Sequence, residues 1–175
     1  AKTTGDKPAA AKPTASKPGA AAPAGAPGGG QATLLATFDD WGAYATQAGR
    51  SRVCYALSQP TERTPKTVPR DPAYLFVSFR PSENIRNEIA LVMGFATKDG
   101  GEAQAMIGNA TYGLVTKGAN AWVKNPAEEG QVITTMSRAS SVTVKATSGR
   151  GNATSDRYSL KGFGKALEKA RDECK

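Results

Sequence analysis

The sequence Tyr-Leu-Phe-Val-Ser-Phe at residues 74–79 decides the predicted fold class. Leu75, Val77 and Phe79 fall on one face and the intervening side chains on the other, which is the period of a β-strand. Residues 89–95 are apolar on both faces, as expected for a central strand. Outward from these segments, short runs separated by Gly and Asn turns predict strands at 52–57, 103–107, 111–116, 121–124 and 142–147, and a last one around Tyr158 and Leu160. Many short strands of this kind predict an all-β protein built as a β-sandwich.

Two further segments carry local predictions. Residues 38–44 are predicted as a first strand region with Asp39 and Asp40 at its start, and residues 98–101 as a hairpin turn. Both tryptophans, Trp41 and Trp122, are predicted to lie in the core, the alternative being an exposed platform for a ligand.

Helical periodicity occurs in two places. The segment 126–138 has acidic residues near its start, a basic residue at its end and apolar residues at helical spacing. This pattern predicts a short helix before the last strands. Near the end of the chain, Phe163, Ala166, Leu167, Ala170 and Cys174 lie on one face of a helix. We expect this apolar face to pack on the sheet.

Two cysteines and no histidine indicate one structural disulfide rather than a metal site or a catalytic thiol. A bond between Cys54 and Cys174 closes a loop of about 120 residues, which a chain-entropy estimate values at roughly 4–5 kcal/mol. Such a bond persists in an oxidising compartment, so we expect the protein outside the cytosol.

The first residue is Ala and no secretory leader follows, which predicts a mature form after signal-peptide removal, the alternative being an arbitrary boundary. No apolar run reaches the length of a transmembrane span.

Residues 1–35 are predicted to form a disordered tail rich in Lys, Pro, Ala and Gly, and residues 36–175 the β-sandwich domain. Lys-Pro recurs three times in the tail, which is either a spacer or a basic tether for acidic envelope polymers. The net charge of +8 favours acidic partners in general. Without a dense basic helix or an RNP-like motif, it does not indicate nucleic acid.

The residue types exclude common catalytic arrangements. Without histidine there is no Ser-His or Cys-His pair, and no G-x-S-x-G elbow occurs. Asp39 and Asp40 are neighbours in a predicted strand and point to opposite faces, so they do not form an acid pair alone. We therefore predict a protein that is not an enzyme and has no catalytic, cofactor or metal residues.

The long loop at 61–71 is the favoured binding segment because it combines stiff prolines with three cations, Arg63, Lys66 and Arg70. The alternative is an ordinary solvated connection. The segment 80–86 is a similar candidate, the alternative being that Arg80 and Arg86 pair with Glu83, Glu88 or Asp71.

Several motifs occur in order between residues 36 and 175: Phe38-Asp-Asp-Trp41, Val53-Cys-Tyr-Ala-Leu-Ser-Gln-Pro60, Arg70-Asp71, Tyr74-Leu-Phe-Val-Ser-Phe-Arg-Pro81, Asn87-Glu88, Ser148-Gly-Arg-Gly151 with Asp156, and Tyr158-Ser-Leu-Lys-Gly-Phe163. In these segments the chain resembles the invasion-associated locus B (IalB) family of alphaproteobacterial envelope proteins. The resemblance implies an immunoglobulin-like β-sandwich exported to the periplasm or cell surface, with no established catalytic residues. Members that gave the family its name help pathogens to enter or parasitise host cells and respond to stress.

The functional prediction is an exported, non-enzymatic binding module of the envelope. Its expected partner is an envelope or host-surface protein or another acidic component, and membrane association would be peripheral. The alternative is an accessory or stress-protective periplasmic subunit of a larger envelope or membrane complex.

Overall fold

Twelve antiparallel strands form one continuous sheet in the residues that the computed structural model describes, 20–21, 31–48 and 51–175. The strands are β1 (Ala20–Ala21), β2 (Gln31–Phe38), β3 (Trp41–Ala48), β4 (Ser51–Ser58), β5 (Glu62–Thr64), β6 (Tyr74–Arg80), β7 (Ile85–Val92), β8 (Ala103–Ile107), β9 (Ala110–Lys117), β10 (Asn120–Val123), β11 (Ser141–Thr147) and β12 (Ala153–Ser159). The α-helices are α1 (Glu129–Arg138) and α2 (Phe163–Glu173), and 3-10 turns span Pro81–Glu83 and Pro126–Glu128.

The strand order is β1-β2-β3-β4-β6-β7-β10-β9-β8-β11-β12-β5. β5 pairs with β12 at one edge, although along the chain it lies between β4 and β6, which pair with each other. Because only residues 59–61 and 65–73 join β5 to those strands, the β12 edge must lie near the β4–β6 side. The sheet therefore folds over itself, which confirms the predicted all-β, sandwich-like architecture.

One buried cluster fills the space between the folded halves of the sheet. Trp41 of β3 and Cys54 of β4 belong to the same cluster as Val142 and Val144 of β11 and Tyr158 of β12. The Trp41 indole is 1% exposed and donates a hydrogen bond from Nε1 to the Ser159 carbonyl at 2.8 Å. Trp41 is therefore a core residue, as predicted.

Both predicted helices are present. The apolar stripe of α2, predicted from its spacing, is buried at Phe163, Ala166, Leu167 and Ala170, and the helix contacts β2, β3 and β4. Directly after it, Cys174 forms a disulfide with Cys54, with their Cα atoms 5.9 Å apart. The disulfide therefore fixes the end of the last helix to the middle of the sheet.

The structure corrects several local predictions. Residues 31–35 belong to β2 rather than to the tail, so the sheet begins earlier than expected. The predictions for residues 1–19 and 22–30 lie outside the described residues. Asp39 and Asp40 form the turn of a β2–β3 hairpin, where Asp39 has a φ of 52°. Residues 98–101 form a turn but not a hairpin, because β7 pairs with β6 and β10 instead of β8.

Trp122 is the other correction, because its side chain is 36% exposed instead of buried. It lies opposite Val115 across the β9–β10 pair, and Val115 is 45% exposed.

No helix within the described ranges is both long and apolar enough to cross a membrane.

Candidate binding site

A buried carboxylate organises the predicted binding loop. Asp156 of β12 is 1% exposed and lies opposite Arg63 of β5 in the strand pairing. Its Oδ1 accepts a hydrogen bond from Arg63 Nε at 3.1 Å and another from Arg70 Nη1 at 3.0 Å. The Arg70 side chain is only 4% exposed. One acceptor atom therefore holds two arginines from opposite ends of the loop.

Each of these arginines also binds backbone carbonyls. Arg63 donates from Nη1 to the Asp71 carbonyl at 2.6 Å and from Nη2 to the Met93 carbonyl at 2.9 Å. Arg70 donates from Nη2 to the Pro65 carbonyl at 3.1 Å. These bonds join the loop to itself and to the segment after β7. The loop is consequently fixed at both ends rather than being a free surface connection.

Gly94 lets the end of the loop approach the segment after β7. The Asp71 N–H donates to the Gly94 carbonyl at 2.8 Å, and Gly94 has a φ of +79°. A Cβ at this position would lie 2.1 Å from the Asp71 carbonyl oxygen. Only glycine accommodates both the backbone conformation and the close contact.

The three predicted cations therefore have different environments. Arg63 and Arg70 point toward Asp156, whereas Lys66 is exposed and makes no ion pair within the described residues. The binding role of the loop stays a prediction, and Lys66 is the member of the set that a partner could reach. Charge reversal at all three positions would disrupt the loop as well as its charge, so it cannot test binding alone.

Sequence reasoning did not identify Asp156 as the partner of these arginines. One signal was available, because Thr154, Asp156 and Tyr158 occupy the inward positions of one strand. A carboxylate at such a position requires charged or hydrogen-bonding partners. Burial raises the pKa of the Tyr158 hydroxyl, and the nearby Asp156 charge raises it further. The Tyr158 hydroxyl therefore stays neutral beside the carboxylate.

Beside the loop lies a cleft of about 710 Å³, which we call the loop cleft; its lining residues are 67–71, 94–96, 148–150 and Asn152. Phe95 is half-buried and Arg150 is exposed, with no ion pair to Arg150 among the described residues. Three backbone hydrogen bonds hold the Ser148–Asn152 turn: Ser148 N donates to the Asn152 carbonyl at 2.9 Å, Gly149 N to the Ala96 carbonyl at 2.8 Å and Gly151 N to the Ser148 carbonyl at 2.8 Å. The loop cleft thus combines an apolar surface with one exposed cation, Arg150, which suits an acidic ligand that also has an apolar part.

The other predicted cations and acids have separate partners. Arg80 binds both Glu83 and Glu88, as the alternative for this segment predicted, whereas Arg86 makes no ion pair in the described part of the chain. Asp40 accepts a hydrogen bond from Ser159 Oγ at 2.6 Å, and Asp39 pairs with Lys161 at 3.9 Å. These carboxylates are distributed over two regions and do not converge on one another.

Within the described ranges, no group of three or more His, Cys, Asp or Glu side chains is arranged to hold a metal ion. Comparison of the chain with protein-family models, curated proteins and solved structures finds no match.

Proposed function

We propose that this chain is an exported, non-enzymatic binding protein of the bacterial envelope, as its resemblance to the IalB family implies. In this proposal the loop 61–71 and the loop cleft contact an acidic partner on an envelope or host surface. Lys66 and Arg150 provide the positive charge. Phe95 provides apolar contact in the cleft.

The observation that carries the proposal is the buried Arg63–Asp156–Arg70 cluster. Removing charges from water costs several kcal/mol for each ion before their mutual attraction is counted. An ordinary surface connection has no need of such a cluster. Its effect here is to fix both ends of the loop, whose residues 67–71 line the loop cleft. A binding surface fixed before contact loses less conformational entropy on association.

The proposed location rests on the disulfide between Cys54 and Cys174. Disulfides form and persist in the periplasm and outside the cell, whereas cytosolic thiols are kept reduced. This supports export to the periplasm or the cell surface.

A matched pair of charge reversals tests the proposed contact. Lys66→Glu with Arg150→Glu is compared with Lys124→Glu and Lys165→Glu, which change the net charge equally at exposed positions elsewhere. We expect binding of the purified, oxidised protein to isolated envelopes to weaken at least about tenfold for the first pair and to stay near the unmodified level for the second. Equal binding by both pairs would reject the loop as the contact.

A second candidate function, an accessory subunit of a larger envelope complex, is favoured by the exposed Trp122 and Val115. Two large apolar side chains adjacent on the outside of a sheet are typical of a surface that packs on another protein. In this case the protein would co-purify in fixed stoichiometry after mild extraction of native membranes. Replacing both residues with Thr would abolish that co-purification, whereas recovery of a free monomer would exclude this candidate.

A further inference from the structure

A second cleft lies on the face of the sheet that points away from the main core, and we call it the tyrosine cleft. Its volume is about 540 Å³, and it opens between the β2–β3 turn and the segment that follows β4. Its walls include Asp39, Asp40, Tyr44, Gln59, Pro60 and Tyr74. None of the described residues that line it also lines the loop cleft.

Two tyrosine rings form a fixed aromatic wall in this cleft. Tyr44 and Tyr74 are half-buried, so each still presents part of its ring to solvent. Tyr44 stacks on the buried Tyr55 with ring centroids 5.4 Å apart, and Tyr74 packs against the buried Phe76 at 6.0 Å. A Cβ at Gly42 would lie 2.9 Å from Tyr44 Cε2, so this glycine lets the Tyr44 ring lie over β3 beside the β2–β3 turn.

Polar donors accompany the rings. Burial raises the pKa of the Tyr44 hydroxyl, and its interaction with Tyr74 raises it further, so this hydroxyl stays neutral and can donate a hydrogen bond. The exposed Gln59 contributes a side-chain amide to the same cleft. Fixed aromatic rings with nearby donors recognise polyproline II segments, whose backbone carbonyls have no partners within the helix.

The end of the cleft at the β2–β3 turn carries negative charge. Asp39 and Asp40 are both exposed. Asp39 lies 3.9 Å from Lys161 Nζ, and exposed pairs of this kind are weak. Asp40 accepts a hydrogen bond from Ser159 but makes no ion pair among the described residues. A cation next to a proline would therefore complement both parts of the cleft.

Strand β1 points from the N-terminal tail toward this cleft. Its residues 20–21 pair antiparallel with 31–32 of β2, so the N-terminal end of β1 faces the β2–β3 turn. Lys12 lies eight residues before Ala20, and Asp40 lies at the same offset beyond the residue that pairs with Ala20. Eight residues span about 25–27 Å in either a polyproline II or a β conformation. The chain before β1 is therefore long enough to bring Lys12 to Asp40.

We propose that the tyrosine cleft binds the Lys12-Pro13 segment of this chain's own N-terminal tail. The Lys12 ammonium would pair with Asp39 and Asp40. The Pro13 ring would pack on the Tyr44 ring, where the nearby ammonium adds a cation–π attraction. This contact is independent of the acidic partner proposed above, because the two clefts are separate.

The test is nuclear magnetic resonance of the full, oxidised, isotope-labelled chain. We expect nuclear Overhauser contacts between Pro13 and the Tyr44 ring at a level that does not change with protein concentration. Absence of contacts from the tail to this ring would overturn the proposal, and contacts from Pro8 or Pro18 in place of Pro13 would reject the assigned segment. Contacts found only between differently labelled copies would also overturn it, since the occupant would then be the tail of a second copy.

Charge removal in the cleft tests the recognition. Asp39→Asn with Asp40→Asn keeps the side-chain shapes and should lower the ratio of docked to undocked tail about threefold, the size expected for exposed ion pairs. Asp99→Asn with Glu102→Gln removes two exposed carboxylates elsewhere and should leave the ratio unchanged. Equal ratios in the two double variants would reject the proposed charge pairing.

A second pair of variants changes only the tail. Lys12→Gln should lower the docked ratio about as much as the two aspartate changes do, whereas Lys2→Gln alters the net charge equally and should have no effect. Equal losses in both variants would show general attraction and reject the assigned segment. Since the envelope-binding test uses Lys66 and Arg150, either proposal can fail without the other.

Discussion

At the scale of single residues, Asp156 is the position with the largest expected effect on stability. Asp156→Asn keeps the shape of the side chain but removes the charge that faces Arg63 and Arg70. Breaking a buried ion pair from one side costs about 3–5 kcal/mol because the partner charge stays buried. We expect a loss of that size in the free energy of unfolding, measured by urea denaturation.

The matched control is Asp39→Asn, which removes an exposed carboxylate whose Oδ1 lies 3.9 Å from Lys161 Nζ. Asparagine tolerates the positive φ of this turn. Exposed pairs contribute about 0–1 kcal/mol, so the control should lose little stability. Similar losses for both variants would show that the Asp156 cluster does not stabilise the loop.

Glu129 provides a prediction of pH dependence. Burial raises the pKa of its carboxyl above the usual 4.5 despite a hydrogen bond from the Ile89 N–H, and the neighbouring Glu88 raises it further. The folded state therefore binds this proton more readily than the unfolded state does. The stability that this group contributes is complete below pH 4.5 and is lost as the pH rises through the raised pKa.

Glu129→Gln should consequently increase the free energy of unfolding at pH 7 and leave it unchanged well below pH 4.5, where glutamate is protonated in both states. Gln retains an acceptor for the Ile89 N–H. The measurement is urea denaturation at both pH values, with the exposed Glu102→Gln as the control. A destabilised variant at pH 7 would contradict the assigned direction of the pKa.

Residue-level prediction from sequence succeeded where a residue's type restricts its environment. The cysteine pair and the buried Trp41 follow from composition and pattern. The Asp156 cluster could not be predicted from composition or pattern, because Arg63 and Arg70 lie 93 and 86 positions from Asp156 along the chain. Only the β5–β12 pairing brings these charges together, and no local pattern specifies that pairing.

At the scale of elements, the start of α2 depends on one glycine. Gly162 precedes the helix with a φ of +89°, and a Cβ there would lie 1.8 Å from the Phe38 carbonyl oxygen. Gly162→Ala should therefore lower the free energy of unfolding by at least about 1–3 kcal/mol, because backbone strain adds to the steric conflict. Gly164→Ala is the control, since no atom lies within 4 Å of its added Cβ and alanine favours helices. Thermal unfolding distinguishes the two, and equal effects would contradict the steric argument.

The elements that the sequence predicted well are those with long apolar periodicity. Both helices and the strand at 74–80 belong to this group. Strand β5 was missed because Glu62, Arg63 and Thr64 have no apolar alternation, and it forms only by pairing with β12. The β2–β3 hairpin was missed because Asp39 and Asp40 were assigned to the start of a strand, whereas they form the turn between two strands. Strand β5 therefore depends on tertiary pairing, and the hairpin depends on the conformation of its turn.

At the scale of the whole molecule, one covalent bond connects the end of the last helix to the fourth strand of the sheet. The bond joins residues separated by 120 positions. It therefore restricts the unfolded chain over most of the sheet, and the entropy model assigns a loop of this length about 4–5 kcal/mol. The bond also holds α2 against β2, β3 and β4, where the helix buries its apolar stripe.

Replacing Cys54 and Cys174 together with Ser should lower the free energy of unfolding by about 2–5 kcal/mol, the usual range for a native disulfide. The replacement should increase the rate of amide exchange more in α2 than in α1. The reason is that the disulfide holds the end of α2 and does not involve α1. The measurements are urea denaturation and hydrogen exchange of the oxidised protein and the double variant. Reduction of the unmodified protein is the matched control, because it breaks the same bond without introducing hydroxyl groups. If both treatments left the stability and the α2 exchange unchanged, the packing of α2 would be sufficient without the disulfide, which would contradict the predicted stabilisation.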